Sequence, residues 1–533
     1  MMVNSRRVRR SCRRGSTNAV LPLQNRHHQL LSPSISCWYC DYKVRALNDL
    51  LYIFGRKHAS FLRSWFSIGV GFSLASLLVV ALILFFEFST ALHLYTDNLK
   101  IKNLYTCFLF GSLPSPLVPG FKLSLIDGVY IVFSTLVSVV VHEAGHAISA
   151  ASEGVQIEYI AVFLALLFPG ALVAFDLDLL HNLPLFSTLR IYCAGIWHNA
   201  ACCAACALTL ILLPLILYPL YIHGDNLVVL DVKPESPLSG YLSPGDIIVS
   251  LDGMQVHGPQ EWVDTMMLIN KQVYQSAGGT KGYCIPSSWV EDQTAELEGE
   301  QFSCPGELTV FSIVPCLNLT ALDGESRERG HMKSRKSMHC LTAGDVVLHK
   351  KCGNGWLGTG TSGNTCPCTE EESCSTPVLT PGHSWVEIKY ASPFACSSQG
   401  NNSTDVEAHN SGATKCQGTF VFVGDVLTMA NSVQLTAYQP RWTFNFGLNL
   451  PTILEKMLAC TFHVSLTLAL LNSLPVFFLD GESILEVTLS YFPWLNARKK
   501  RQVLRIFLWG GTLSTILAFF MFILHGARSE YVG

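Results

Sequence analysis

Val129-Tyr130-Ile131-Val132-Phe133-Ser134-Thr135-Leu136-Val137-Ser138-Val139-Val140-Val141-His142-Glu143-Ala144-Gly145-His146 decides how this chain is read. An uncharged apolar run leads straight into three ionisable side chains. On a helix, residues four apart share a face, so His142 and His146 can grip one zinc ion. Glu143 then stands beside the metal, placed to take a proton from water. Hydrolysis inside an apolar segment needs water where lipid excludes it, and the rest of the chain has to accommodate that.

The chain has 533 residues, too many for one soluble domain. Charged residues make up 14%, against roughly a quarter in soluble proteins. With a mean hydropathy of +0.33, this indicates an integral membrane protein. The net charge of −3 gives no reason to expect direct nucleic-acid binding. The basic stretch Arg6–Arg14 reads as part of a cytosolic tail, residues 1–65. The first apolar run, 66–88, is long enough to span a bilayer. Arg56, Lys57 and Arg63 precede it, which puts the N-terminus in the cytosol.

Further apolar runs lie near 125–150, 157–176, 190–222, 453–478 and 503–525. If all six runs crossed, the polar block 223–445 would be cytosolic, and Arg498-Lys499-Lys500-Arg501 would fall on the lumenal side. The block holds ten of the nineteen cysteines, Cys284 to Cys416, with sequons at Asn318 and at Asn401-Asn402. Clustered cysteines and sequons belong in an oxidising lumen. Five disulfides are expected, with cysteine-bound zinc as the alternative. Both conflicts vanish if 157–176, interrupted by Pro169-Gly170, is a re-entrant or hairpin element. Block 223–445 is then lumenal.

In that topology the His142 segment and the 453–478 segment run the same way, so Asp480 reaches the depth of the two histidines. Zinc prefers four ligands, one left for water in a catalytic site, and Asp480 is the third protein ligand expected. The tripeptide Leu251-Asp252-Gly253 repeats Leu479-Asp480-Gly481, but sits among strand-like residues and reads as a β-turn. Pro475 should unwind the chain after Asn472-Ser473-Leu474. Asn472 can then donate to a carbonyl oxygen as charge develops. Gly195 allows close helix packing, and Asn199 offers an intramembrane amide. Asn472, Pro475, Asn199 and Gly195 are the expected substrate-facing set. His198 is read as supporting or packing rather than ligating.

These residues resemble the site-2 protease family of intramembrane metalloproteases. The likeness rests on His142 to His146, Gly195 to Asn199, and Asn472 to Gly481, across about 125–222 and 450–525. It implies one Zn2+ per chain on His142, His146 and Asp480, with Glu143 as general base. It also implies a re-entrant β element after the first motif. Ser236 to Ile248 resembles the start of a PDZ module, resuming near Thr419–Val423 after a cysteine-rich insertion of about 280–418.

The fold expected is a mainly α polytopic membrane protein with a re-entrant β element and a lumenal PDZ-like β domain. Its catalytic core is split between 125–222 and 450–481, and 503–525 is the last span. The function the resemblance implies is regulated intramembrane proteolysis in the Golgi or endoplasmic reticulum, in a stress or sterol response. Its partners are membrane lipid and membrane-anchored transcription factor precursors already cut by a lumenal protease. A metal transporter and a non-catalytic PDZ-bearing scaffold are the competing classes. Only hydrolysis requires Glu143 as a base that is not a ligand.

Overall fold

The computed structural model describes residues 34–36, 39–44, 48–91, 125–165, 168–274, 281–292, 304, 308–314, 338–353, 355–356, 368–369, 371–380, 382–392, 417–441 and 447–530. The basic stretch 6–14, both sequon regions, and Cys37, Cys316, Cys366, Cys396 and Cys416 lie outside them.

The chain divides into two compact units, residues 1–213 with 454–533, and 214–453. Besides the short helix Leu177–His181, the helices of the first unit are α1 (Asn48–Lys57), α2 (Ala59–Ala91), α3 (Leu125–Glu153), α4 (Leu185–Leu217), α5 (Leu450–Asn472), α6 (Asp480–Ser490) and α7 (Ala497–Glu530). Five of these, α2, α3, α4, α5 and α7, are long and apolar enough to cross a membrane. This is a multi-pass membrane protein carrying separate β structure.

The run 157–176 is not a sixth helix. It forms a hairpin of β3 (Ile157–Ala165) and β4 (Phe168–Phe175), paired antiparallel. β-Branched and aromatic residues suit a strand better than a helix here, and pairing satisfies the backbone groups that an apolar setting leaves without water. β1 (Ser34–Ser36) and β2 (Tyr39–Val44) extend the sheet in the order β1-β2-β3-β4. Residues 34–36 and 39–44 are therefore not simply a basic tail, because their backbone completes a sheet begun over a hundred residues later. Asn48 fixes this region by donating to the Ile157 and Glu158 carbonyls at 3.1 and 2.9 Å. At the far end of α3, Glu153 is held by Arg190 at 2.5 Å and Arg63 at 3.6 Å, clamping three helices together.

Two hydroxyl pairs join α3 to α5. Ser138 meets Ser465 at 2.8 Å, and Thr461 donates to Ser134 at 3.1 Å. Both pairs span 327 residues, so the helices run parallel and in register, one turn apart on each.

In the second unit, β5 (Tyr221–Val232), β6 (Ile247–Leu251), β13 (Ser384–Ala391), β14 (Gln417–Gly424) and β15 (Val433–Pro440) pair in the order β14-β13-β6-β5-β15, with β7 (Met254–Gln255) on β6. The helix Pro259–Tyr274 buries Trp262, Met266 and Ile269 in the core of this sheet. Asp252 and Gly253 have φ of 50° and 88° between β6 and β7, a tight hairpin turn. A second sheet, order β10-β9-β12-β8-β11, uses β8 (Gly282–Pro286), β9 (Leu308–Val314), β10 (Met338–Thr342), β11 (Lys351–Cys352) and β12 (Glu372–Pro377). Residues 384–391 lie within the stretch expected as an insertion, yet they form β13, between β6 and β14. The separate sheet is thus confined to 282–377.

Three disulfides are present among the described residues: Cys284–Cys368, Cys304–Cys340 and Cys352–Cys374. Cys284, Cys352 and Cys368 come close enough to hold a metal, but each is already bonded to a sulfur. Disulfides, not zinc, account for them. A buried polar network lies between the two sheets. Asp252 pairs with Lys281 and accepts from the Glu387 amide at 2.9 Å, while Glu387 meets Lys351 at 3.0 Å and the Tyr283 hydroxyl at 3.1 Å. Burial, and then the Glu387 charge, pushes the Tyr283 phenol up, keeping it a neutral donor.

Candidate metal centre

The buried face of α3 repeats every four residues: Ser134, Ser138, His142, His146 and Ala150. His142 Nε2 and His146 Nε2 lie 3.2 Å apart. Asp480 Oδ2 sits 3.1 Å from the first and 3.2 Å from the second. All three side chains are buried, and the Asp480 carboxylate is fully so.

Asp480 arrives by a break in the chain rather than at the end of a span. α5 stops at Asn472, Pro475 follows, and α6 starts at Asp480. A Cβ on Gly481 would fall 2.0 Å from the Leu474 carbonyl oxygen, and one on Gly511 of α7 would fall 2.3 Å from that of Pro475. Only glycine admits that approach at either position. Phe478 has φ of 72°, a costly value for an aromatic residue. Its amide donates to Glu482 at 2.9 Å, which ties the turn to the start of α6.

The far side of each imidazole is also held. His146 Nδ1 donates to the Ile191 carbonyl at 2.7 Å, leaving Nε2 as the acceptor. The Asn199 amide lies 3.2 Å from His142 Nδ1. The Asn199 Oδ1 is buried without a hydrogen bond. Turning that amide over puts its oxygen on the ring N–H, which is the pairing a metal-ligating histidine needs. Gly195, one turn before Asn199, faces the ligands directly. A Cβ there would fall 2.4 Å from His146 Nε2 and 2.6 Å from His142 Nε2.

These two residues were expected to face substrate, but they back the histidines. Asn472 donates to Leu468 in its own helix at 3.0 Å, and Pro475 packs against α7. His198 stacks on Phe66 with ring centres 5.3 Å apart and is not among the converging donors.

Glu143 is buried, and its Oε2 accepts the Val173 amide at 3.1 Å. Val173 belongs to β4, an edge of the four-stranded sheet. The hairpin therefore covers the acid next to the histidines. No sequence signal singled out Val173, because a backbone donor carries no residue signature.

The donor set fits a divalent transition metal: two imidazoles with acceptor nitrogens inward, one carboxylate, and a buried Asp480 Oδ1 with no hydrogen bond. The model for peptidase family M50 matches residues 130–506, which include every residue of this cluster. The chain belongs to peptidase family M50. An Arabidopsis thaliana protein named membrane-bound transcription factor site-2 protease homolog is 45% identical, over 99% of both chains. As an M50 member the chain is a membrane metalloendopeptidase, and the family implies a metal.

Proposed function

We propose that this M50 peptidase binds one zinc ion through His142, His146 and Asp480 and cuts membrane-anchored transcription factor precursors within or beside their transmembrane helix. The carrying observation is the convergence of three donor atoms within 3.1–3.2 Å, beside buried Glu143, among apolar helices. The name of the Arabidopsis relative supports the substrate class.

Zinc, when bound, supplies a Lewis acid that acidifies water and polarises the scissile carbonyl. Glu143 takes the proton from the attacking water and hands it to the amide nitrogen that leaves. The Val173 amide holds the Glu143 carboxylate in place for both transfers. Gly195, Asn199 and the Ile191 carbonyl keep the imidazoles oriented. Helical carbonyls are already hydrogen-bonded, so a substrate must unwind before its peptide bond reaches the site. The edge of β4 that does not face β3 offers backbone partners to such an extended segment.

The N-terminus is cytosolic and block 223–445 lumenal, in the Golgi or endoplasmic reticulum. The three disulfides support an oxidising compartment for that block. The sheet of β5, β6, β13, β14 and β15 is PDZ-like, and the 282–377 sheet is its cysteine-rich insertion. Together they admit substrates only after a first lumenal cut.

Co-expressing a pre-trimmed membrane-anchored transcription factor with wild type and with Glu143→Gln tests this. Release of the cytosolic fragment by the wild type alone, with zinc retained in both, is expected. Equal release by the variant would overturn the assignment of Glu143.

A further inference from the structure

The corner between α6 and α7 carries a groove that the peptidase chemistry does not use. Hydrogen bonds from Tyr491 and Phe492 to the end of α6 shape the turn, and Lys500 closes it by donating to the Ser490 carbonyl at 3.2 Å. The groove measures about 590 Å³. That is within the roughly 300–1,000 Å³ of ligand clefts. Phe492, Trp494 and Leu495 line it from the turn, Val503 and Ile506 from α7, with Lys499 as its charged group. Trp494 is 77% exposed and Ile506 71%, so no part of the described chain covers them.

Beside this apolar lining stand Arg498, Lys499, Lys500 and Arg501 in sequence, with Arg505 one turn on. Among the described residues no carboxylate pairs with any of them. A plain cationic belt at a helix end needs no cavity, and a lipid-facing apolar surface needs no cations. An apolar groove with an unpaired cation in its lining matches a ligand with an apolar tail and an anionic head. We infer that this groove holds one anionic phospholipid, its acyl chain against Trp494 and Ile506 and its phosphate on Lys499. The groove shares a helix with Asp480. Leu489 of the groove belongs to the helix that begins with Asp480, and Trp509 of α7 packs on Phe477, with ring centres 5.4 Å apart.

The test uses the full-length protein, stripped by detergent exchange and offered phosphatidylserine, phosphatidylcholine with the same acyl chains, or glycerophosphoserine. Retained lipid is counted by mass spectrometry. Retention of one phosphatidylserine per chain, in excess of phosphatidylcholine, is expected. Lys499→Gln should weaken it about fivefold. Trp494→Ala should also weaken it, and Lys499→Arg should retain it. Arg505→Gln, outside the groove lining, should leave it near wild type. Equal retention of both lipids by the wild type would overturn the inference without any variant. So would equal losses from Arg505→Gln and Lys499→Gln, which mark a diffuse surface charge. Binding of glycerophosphoserine alone, or displacement of lipid by a peptide, would overturn it as well.

Discussion

Gly195→Ala puts one methyl group where two ligand rings already stand. Its carbon would lie 2.4 Å from His146 Nε2 and 2.5 Å from His142 Cε1, where ordinary contact begins at 3.4 Å. The rings, or α4 itself, must therefore retreat by about 1 Å. Neither ring has an easy route, since His146 is tied to the Ile191 carbonyl and His142 lies against the Asn199 amide. Overpacking of this kind costs about 1–3 kcal/mol. The loss of function should exceed the loss of stability, because metal geometry tolerates only about ±0.2 Å. A 1 Å misplacement costs about a hundredfold in rate. Zinc content after dialysis against a zinc buffer, measured with fragment release, reads both effects. Gly510→Ala in α7 is the control, because nothing lies within 4 Å of its added carbon. If Gly195→Ala keeps wild-type zinc affinity and cutting rate, the packing of α4 against the ligands is not what orients them.

Asn199→Ala should lower zinc affinity about 10–100-fold, as loss of a histidine's outer partner does; competition with a chelator measures it. Peptide mapping without reductant should recover Cys284 with Cys368, Cys304 with Cys340, and Cys352 with Cys374, and reductant should lower the melting temperature of the 214–453 unit. Asp425 caps the helix Val426–Asn431, and its carboxyl is held below the usual range, first by the Thr428 hydroxyl and then by backbone amides. A lowered folded-state pKa stabilises above the unfolded value and is lost as pH falls through the folded one. Asp425→Ala should therefore cost about 1 kcal/mol near neutrality, and the gap from wild type should close in acid denaturation profiles below about pH 4.

The convergence of His142, His146 and Asp480 was legible because its chemistry is local in type: two histidines four apart, an acid between, and an aspartate after a proline break. The hairpin at 157–176 was legible through charge, since six spans would have stranded Arg498–Arg501 on the wrong side. β1 and β2 were not. The pairing of β2 with β3 bridges more than a hundred residues, and the neighbouring arginines make that stretch look like solvated tail. That Gly195 and Asn199 lie against the histidines was hidden for a related reason. Glycine and asparagine in an apolar helix announce close approach and hydrogen bonding, but not to whom. β13 hid inside the cysteine-rich stretch because its partner β6 lies far back in the chain, and pairing register leaves no mark on composition.

His146 and Asp480 are separated by 334 residues. Chains emerge at roughly 5–20 residues per second, so tens of seconds pass between synthesis of the histidine pair and of the aspartate. During that interval α3, α4 and the hairpin can already be in the membrane, while the metal cluster lacks its carboxylate. On the proposed reading of Asp480 as a metal ligand, the peptidase is born incomplete and cannot cut neighbouring helices, or its own, until that residue is made. Placing the whole 214–453 unit between the two halves of the proposed site then works as a timer on activity, set by chain length alone.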